Sequence, residues 1–409
     1  MLSTYKFPKK TIRDIHVHGK RVVVRADYNV PLGHDGSIAS DFRIVQSLPT
    51  LQYLLERGCT VFVIAHLGRP ESQPSKELSL AQVAKRLQAL LPDYPVTFVD
   101  SLIDDKARQA CKHAKPGTVT ILENLRFNKG EEENSADFAS QIQKNVRADY
   151  FVQDGFGVVH RAHTSTDALT HTIPSVAGLL LEKEVTTLES AMNRPIHPVL
   201  AIVGGAKISD KVGFIERLLD IADTVLVGGA MANTFLKHQG YDIGASVYET
   251  GQDEKIATIL QKAKPNQIVL PIDVTTSTEI AKDSQKNIRQ LADVHHNELI
   301  LDIGPKTIEL FSGHIKKAAT VLWNGTLGYA ELPQFAEGTA AVAKELSLLE
   351  NAETIVGGGD TVDYVLDWLD RSTKQYPHAH FSHISTGGGA SLELMSGMKL
   401  PGVEALLSK

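Results

Sequence analysis

Two doubly wound α/β lobes of similar size, each built on a parallel sheet and joined by a helix, are the fold this sequence predicts. Three observations carry that expectation. Short runs of β-branched and aliphatic residues alternate with longer amphipathic stretches along the chain. Most of those runs are continuously apolar, as strands covered on both faces must be. A helical stretch closed by two prolines also divides the 409 residues, long for one domain, near their middle.

The elements follow in order. RVVVRADYNV (21–30) is the first strand, and DFRIVQSLPTLQYLLERG (41–58) is a helix with Leu, Ile and Val at three- and four-residue spacing. TVFVIAHLG (60–68) gives the next strand and ELSLAQVAKRLQALL (77–91) the next helix. TVTILEN (118–124) and DYFVQDGFG (149–157) complete the strands of this half. Between them EEEN (131–134) reads as a solvated face at a helix start, where acids suit the dipole. LEKEVTTLESAM (181–192) is helical, and the prolines of NRPIHPVL stop it near Asn193. The second half offers strands at 198–205, 224–229, 267–274, 320–325, 353–359 and 383–389. The expected division is an N-terminal lobe over 1–180, a joining helix over 181–193, a C-terminal lobe over 194–395 and a tail over 396–409.

Composition excludes several classes. With 42% hydrophobic and 22% charged residues the chain can bury sizeable cores without staples. A formal net charge of -6 argues against a general nucleic-acid or membrane-surface binder. Cys59 and Cys111 are the only cysteines, which excludes a disulfide framework and suits a reducing compartment. No apolar run approaches the ~18–20 residues that span a bilayer, and the first twenty residues hold no apolar signal core. A cytoplasmic location is expected.

Chemistry-bearing residues divide unevenly between the halves. In the second, four strands end in glycine: VGGAK (203–207), VGGAM (227–231), VGGGDT (356–361) and STGGGAS (385–391). Ligands of open α/β sheets sit at such strand ends, where free N–H groups and helix dipoles favour anions. One glycine loop is equally well explained by a tight turn, but four together favour a phosphate-rich ligand. Neither G-x-G-x-x-G nor G-x-x-x-x-G-K-[ST] occurs, which weakens a dehydrogenase and a P-loop enzyme. Lys207 and Lys211, four apart, would project along one face of a helix opening at the first loop. In GGGDT an acid stands among phosphate-binding glycines. Asp360 there would hold Mg²⁺, with Thr361 and the glycine backbone facing phosphate, or it would cap the helix. Sequence leaves both open.

In the first half the strand ends carry cations. VRADYNVP (24–31) supplies Arg25, Asp27 and Asn29, on one face if the strand runs that far. Arg43, His66, Arg69, Arg126, His160, Arg161 and His163 follow. Arginine's planar fork suits phosphate and carboxylate, so four or five together would hold a small, multiply charged anion. Any single one is better explained as an ordinary surface residue. His160 and His163 have no third ligand at a recognisable spacing, which favours an anion contact or a loop hydrogen bond over a metal.

RADYNVP, DFRI…LPT, HLGRP, ENLRF, DGFG…HRAH, GGAKISDK, WNGTLG, GGGDT and HISTGGGASLELMSG succeed one another in an order that resembles the phosphoglycerate kinase family. The resemblance runs from about residue 11 to the C-terminus. It implies two Rossmann-like lobes and reversible phosphoryl transfer between 1,3-bisphosphoglycerate and ADP, giving 3-phosphoglycerate and ATP with Mg²⁺. It implies a monomer without nucleic-acid or membrane partners, and a C-terminal tail that packs on the first lobe. Asp27, Asn29, Arg43, His66, Leu67, Gly68, Arg69, Arg126 and Arg161 then look like glycerate-phosphate ligands. Lys207, Lys211, Glu331, Gly357, Gly358, Gly359, Asp360 and Thr361 look like nucleotide ligands, with Asp360 meeting the metal. Arg43, Lys207 and Lys211 are the expected catalytic residues, and the 181–193 helix is expected to permit closure.

A carboxylate acceptor is already ionised at neutral pH, so such a reaction needs no general base. The family commonly reads WNGPMGVFE where this chain has WNGTLGYAE (323–331); Thr326 for proline leaves nucleotide preference and loop rigidity open. Ala65 and Gly155 are milder exchanges of small residues. A nicotinamide-linked dehydrogenase and a non-catalytic two-lobed anion-binding protein are the rival readings.

Overall fold

The computed structural model describes residues 5–33 and 35–409. The chain divides into two compact units. One holds residues 6–186 and 399–409; the other holds residue 5 and residues 187–398.

The first unit runs β1 (Arg21–Arg25), α1 (Phe42–Leu55), β2 (Thr60–Ile64), α2 (Ala81–Leu90), β3 (Val96–Val99), α3 (Asp105–His113), β4 (Thr118–Leu122), α4 (Ala136–Val146), β5 (Tyr150–Gln153) and β6 (Ser175–Ala177). α5 (Leu179–Asn193) follows, and the boundary between units falls inside it. The six strands form one parallel sheet in the order β3-β4-β2-β1-β5-β6. Successive residues of β1 explain the unbroken apolar runs. Val22 and Val24 pack into one core with α1 and α2, while Val23 packs into a second with α3 and α4. Each buried valine contributes roughly 1.5–3 kcal/mol relative to exposure. The C-terminal tail belongs to this unit: Lys10 donates to the Leu407 carbonyl, and Lys409 N–H donates to Pro8.

The second unit runs β7 (Val199–Val203), α6 (Val212–Ile221), β8 (Thr224–Val227), α7 (Gly229–His238), α8 (Asp253–Lys262), β9 (Ile268–Val269), β10 (Asp273–Ser277), β11 (Asn287–Gln290), β12 (Leu299–Ile303), α9 (Pro305–Ile315), β13 (Thr320–Asn324), α10 (Glu337–Ser347), β14 (Glu353–Gly357), α11 (Gly359–Ser372), β15 (His383–Ile384) and α12 (Gly389–Met395). A short α13 (Pro401–Glu404) lies in the tail. Its parallel sheet has the order β15-β14-β13-β7-β8-β9. Both units therefore have the parallel α/β character predicted.

Several local expectations fail, each for a physical reason. The run at 267–274 is two strands in different sheets, β9 and β10, separated at Pro271, which has no N–H for a ladder. β10 instead pairs antiparallel with β11 and β12 in a three-stranded sheet that sequence reading missed. β1 ends at Arg25, so strand alternation does not align Asp27 and Asn29 with it. Glu131 is 1% exposed, not solvated, and α4 opens at Ala136 behind a Ser135 cap. A buried guanidinium, Arg25, lies 4.0 Å from the Glu131 carboxylate, and Ser165 donates to it.

Candidate functional site

In each sheet the central strand has later strands on both sides, so a crevice opens at its carboxyl end. The predicted residues lie in the loops leaving those ends.

In the first unit, Asp27 and Asn29 follow β1, His66–Arg69 follow β2, Arg126 follows β4, and Arg161 follows β5. Arg43 lies in the first turn of α1 and pairs with the buried Asp27 carboxylate. Asn29 Oδ1 accepts the Gly68 N–H at 2.8 Å, and Arg126 Nη1 donates to the Gly68 carbonyl at 2.8 Å. The Leu67 carbonyl accepts from Asn124 at 2.8 Å. Gly68 has a φ of +64°, a left-handed conformation that favours glycine, and a Cβ there would press on the end of the Leu78 side chain. Leu67 and Gly68 are thus held through their backbones.

His66 is buried, and burial together with the Arg25, Arg126 and Arg43 charges keeps its imidazole neutral. Arg25 Nη2 lies 3.2 Å from His66 Nδ1, which accepts. Arg126 reaches Glu132 at 3.2 Å and feels the charges of Arg161 and Arg69. His163 is pushed down to about 4, first by burial and then by Arg126. Among the described residues no carboxylate pairs with exposed Arg69 or Arg161. Arg126 thus lies within reach of the charges of Arg69 and Arg161, and Arg43 and Arg126 both act on His66. Arg25 is spent inside, on Glu131 and Ser165.

In the second unit the glycine loops pack on one another. A Cβ on Gly204 would meet the Thr326 carbonyl at 2.1 Å, and one on Gly325 would meet the Gly204 carbonyl at 2.2 Å. Much of their glycine content is steric, serving close backbone approach. Lys207 and Lys211 precede the helix instead of sharing its face, because α6 opens only at Val212. Lys207 is exposed. Lys211 turns inward and donates to the Gly204 carbonyl at 2.8 Å and to the Asn324 carbonyl at 3.1 Å. Burial lowers its ammonium to about 8, against the pull of Asp360 and Asp210.

Gly357 ends β14, Gly358 occupies the cap position of α11 at φ +91°, and Gly359 opens the helix. Asp360 is inside the first turn, exposed, and is not the cap. The capping reading of Asp360 falls. Thr361 is buried, and its hydroxyl accepts the Gly325 N–H at 2.7 Å. That oxygen holds the β13 loop, contrary to an open phosphate-facing side chain. A cavity of about 300 Å³ is lined by Gly205, Ala206, Asp302, Thr326, Glu331 and Asp360 among others. Apolar residues of β12, with Val247, Val274 and Leu327, line the rest.

Sequence reading missed Asn324 and Asn233. Asn324 is 3% exposed, and its Nδ2 has no hydrogen-bond partner among the described residues. It lies 3.2 Å from where a Gly358 Cβ would stand, facing the N-terminus of α11. The available signals were an amide ending an apolar strand and its place in the WNGTLG motif. Asn233 carried no signal, being one polar residue in a helix.

The sequence profile described as Phosphoglycerate kinase matches residues 12–398. The chain belongs to the phosphoglycerate kinase family. It is 44% identical over 403 residues to the phosphoglycerate kinase of Chloroflexus aurantiacus, covering 97% of this chain and 98% of that one. It is 43% identical to that of Thermosipho africanus, covering 98% of each. Among solved structures it is similar to phosphoglycerate kinase from Coxiella burnetii, with a TM-score of 0.81 and 37% identity over 97% of this chain and 98% of that one. The Pyrococcus horikoshii enzyme gives a TM-score of 0.82 at 30% identity, over the same shares.

Proposed function

We infer that this protein is an enzyme, a phosphoglycerate kinase that moves a phosphoryl group reversibly between 1,3-bisphosphoglycerate and ADP, giving 3-phosphoglycerate and ATP in glycolysis. Family membership across nearly the whole chain carries this reading. It leaves the dehydrogenase and the non-catalytic binder without support.

The cationic crevice of Arg43, Arg69, Arg126 and Arg161 is suited to the glycerate compound, whose phosphate and carboxylate match guanidinium forks. Asp27, Asn29, His66, Leu67 and Gly68 position that crevice, as their internal hydrogen bonds suggest. The nucleotide fits the second unit's cavity, with its phosphates toward Gly205, Gly358 and the start of α11. Lys211 and Lys207 would offset charge on the phosphates, and Glu331 stands at the cavity edge. Asn324 Nδ2 supplies a further buried donor toward α11.

Among the described residues no group of three or more His, Cys, Asp or Glu side chains forms a metal site. One exposed carboxylate, Asp360, lines the cavity. That donor set fits Mg²⁺ arriving with the nucleotide, since Mg²⁺ takes one or two carboxylates plus phosphates and water. When bound, the ion offsets charge on the transferring group. The protein's own residues orient the anions, and Arg43 and Lys207 stabilise the equatorial oxygens. The acceptor carboxylate is already ionised at neutral pH and needs no base.

No helix of the described residues is long and apolar enough to cross a membrane. We place the enzyme in the cytoplasm, as a monomer; sizing chromatography checks the latter. The function is tested with ATP, Mg²⁺ and 3-phosphoglycerate in a coupled assay. Turnover that requires all three is expected, and binding without turnover would sink the reading. Asp360→Asn should raise KM for the Mg-nucleotide with little change in folding. Equal losses with and without Mg²⁺ would remove the metal role.

A further inference from the structure

Asn233 lies one helical turn into α7 from Gly229, roughly 6 Å along the axis. It is 1% exposed and lines the 300 Å³ cavity. Its Nδ2 donates to the Val247 carbonyl at 3.0 Å, which fixes which way the amide faces. Its Oδ1 is buried and has no partner among the described residues. Around it the lining is apolar: Val247, Val274, Leu299, Leu301 and Leu327. The other polar side chains of the lining are Asp302, Thr326, Tyr329, Glu331 and Asp360.

A buried acceptor left open in an apolar slot is costly unless a ligand fills it. The slot suits a flat aromatic ring, and the orphan oxygen suits an N–H on the ring's edge. We propose that Asn233 Oδ1 accepts a hydrogen bond from the 6-amino group of adenine and selects adenine over 6-oxopurine nucleotides. Hypoxanthine and guanine present a carbonyl oxygen at that position. Two acceptors would then face each other without a proton between them. The assignment rests on the reading that this cavity takes the nucleotide.

Steady-state kinetics with 3-phosphoglycerate and the Mg²⁺ salts of ATP, ITP and N6,N6-dimethyl-ATP test it. The wild type should favour ATP over both analogues about tenfold in kcat/KM, the effect of one neutral hydrogen bond, mainly through KM. Asn233→Leu, similar in size and lacking the acceptor, should bring the ATP:ITP ratio close to one. Equal use of ATP and ITP by the wild type overturns the proposal without any variant. So does an undiminished ratio in folded Asn233→Leu. Absence of turnover with every nucleotide would instead overturn the underlying kinase reading.

Discussion

The Thr361 hydroxyl accepts the Gly325 N–H at 2.7 Å, tying the first turn of α11 to the loop that leaves β13. Two of the glycine loops around the 300 Å³ cavity are thereby fixed to one another. Thr361→Val keeps the shape and leaves a buried N–H without an acceptor. We expect a loss of about 1–3 kcal/mol and a several-fold rise in nucleotide KM. Thr361→Ser keeps the oxygen and should lose much less. Urea unfolding of both variants checks this, and identical midpoints would contradict it.

Arg43, which we propose faces substrate, neutralises Asp27, whose side chain is 3% exposed. Arg43→Ala should cut turnover by about 10²-fold or more, as loss of a charge-stabilising donor does. It should also cost roughly 1–3 kcal/mol, because the buried carboxylate loses its partner. Arg43→Lys should restore more stability than activity, since an ammonium cannot supply the planar fork. Unchanged kinetics in Arg43→Ala would take Arg43 out of the mechanism.

The role proposed for Lys211 predicts a pH dependence of nucleotide binding. Burial lowers its ammonium to about 8, so the free protein loses this charge above that pH. A bound phosphate favours the protonated form, and binding must then take up a proton. Nucleotide affinity should be flat below pH 8 and fall by up to about tenfold per unit above it. Titration calorimetry in two buffers of different ionisation heat measures the proton uptake. Lys211→Met should bind more weakly and lose the slope.

Asp154 predicts a pH effect on stability. Burial pushes its carboxyl from 3.8 up to about 7, while the Leu180 and Leu181 N–H groups oppose the rise. The folded value lies above the unfolded one. The contribution is therefore fully present below the unfolded value and is lost as pH rises through about 7. Asp154→Asn keeps an oxygen for both N–H groups and does not titrate. Relative to wild type it should gain stability between pH 4 and pH 8, on the order of a few kcal/mol. A constant difference across that range, by chemical unfolding, would refute this.

Periodicity and turn chemistry are local properties, and they made much of the fold legible. Unbroken apolar runs gave the parallel sheets because each strand such as β1 feeds two cores. Glycines at strand ends and arginines in the first half marked the loops on which the proposed sites rest, and the motif order marked the family. Partner choice was not legible. Glu131 looked solvated because its neighbours are acidic, yet Arg25 and Ser165 enclose it from distant segments. Lys211 looked helical by spacing, yet it turns inward to the Gly204 and Asn324 carbonyls. β10 leaves its apparent run for an antiparallel sheet whose partners come later in the chain. A sequence fixes which groups want burial or a counter-charge, because that follows from each residue and its near neighbours. Which group answers is decided only when remote segments meet, and the open amides of Asn233 and Asn324 exist only at that level.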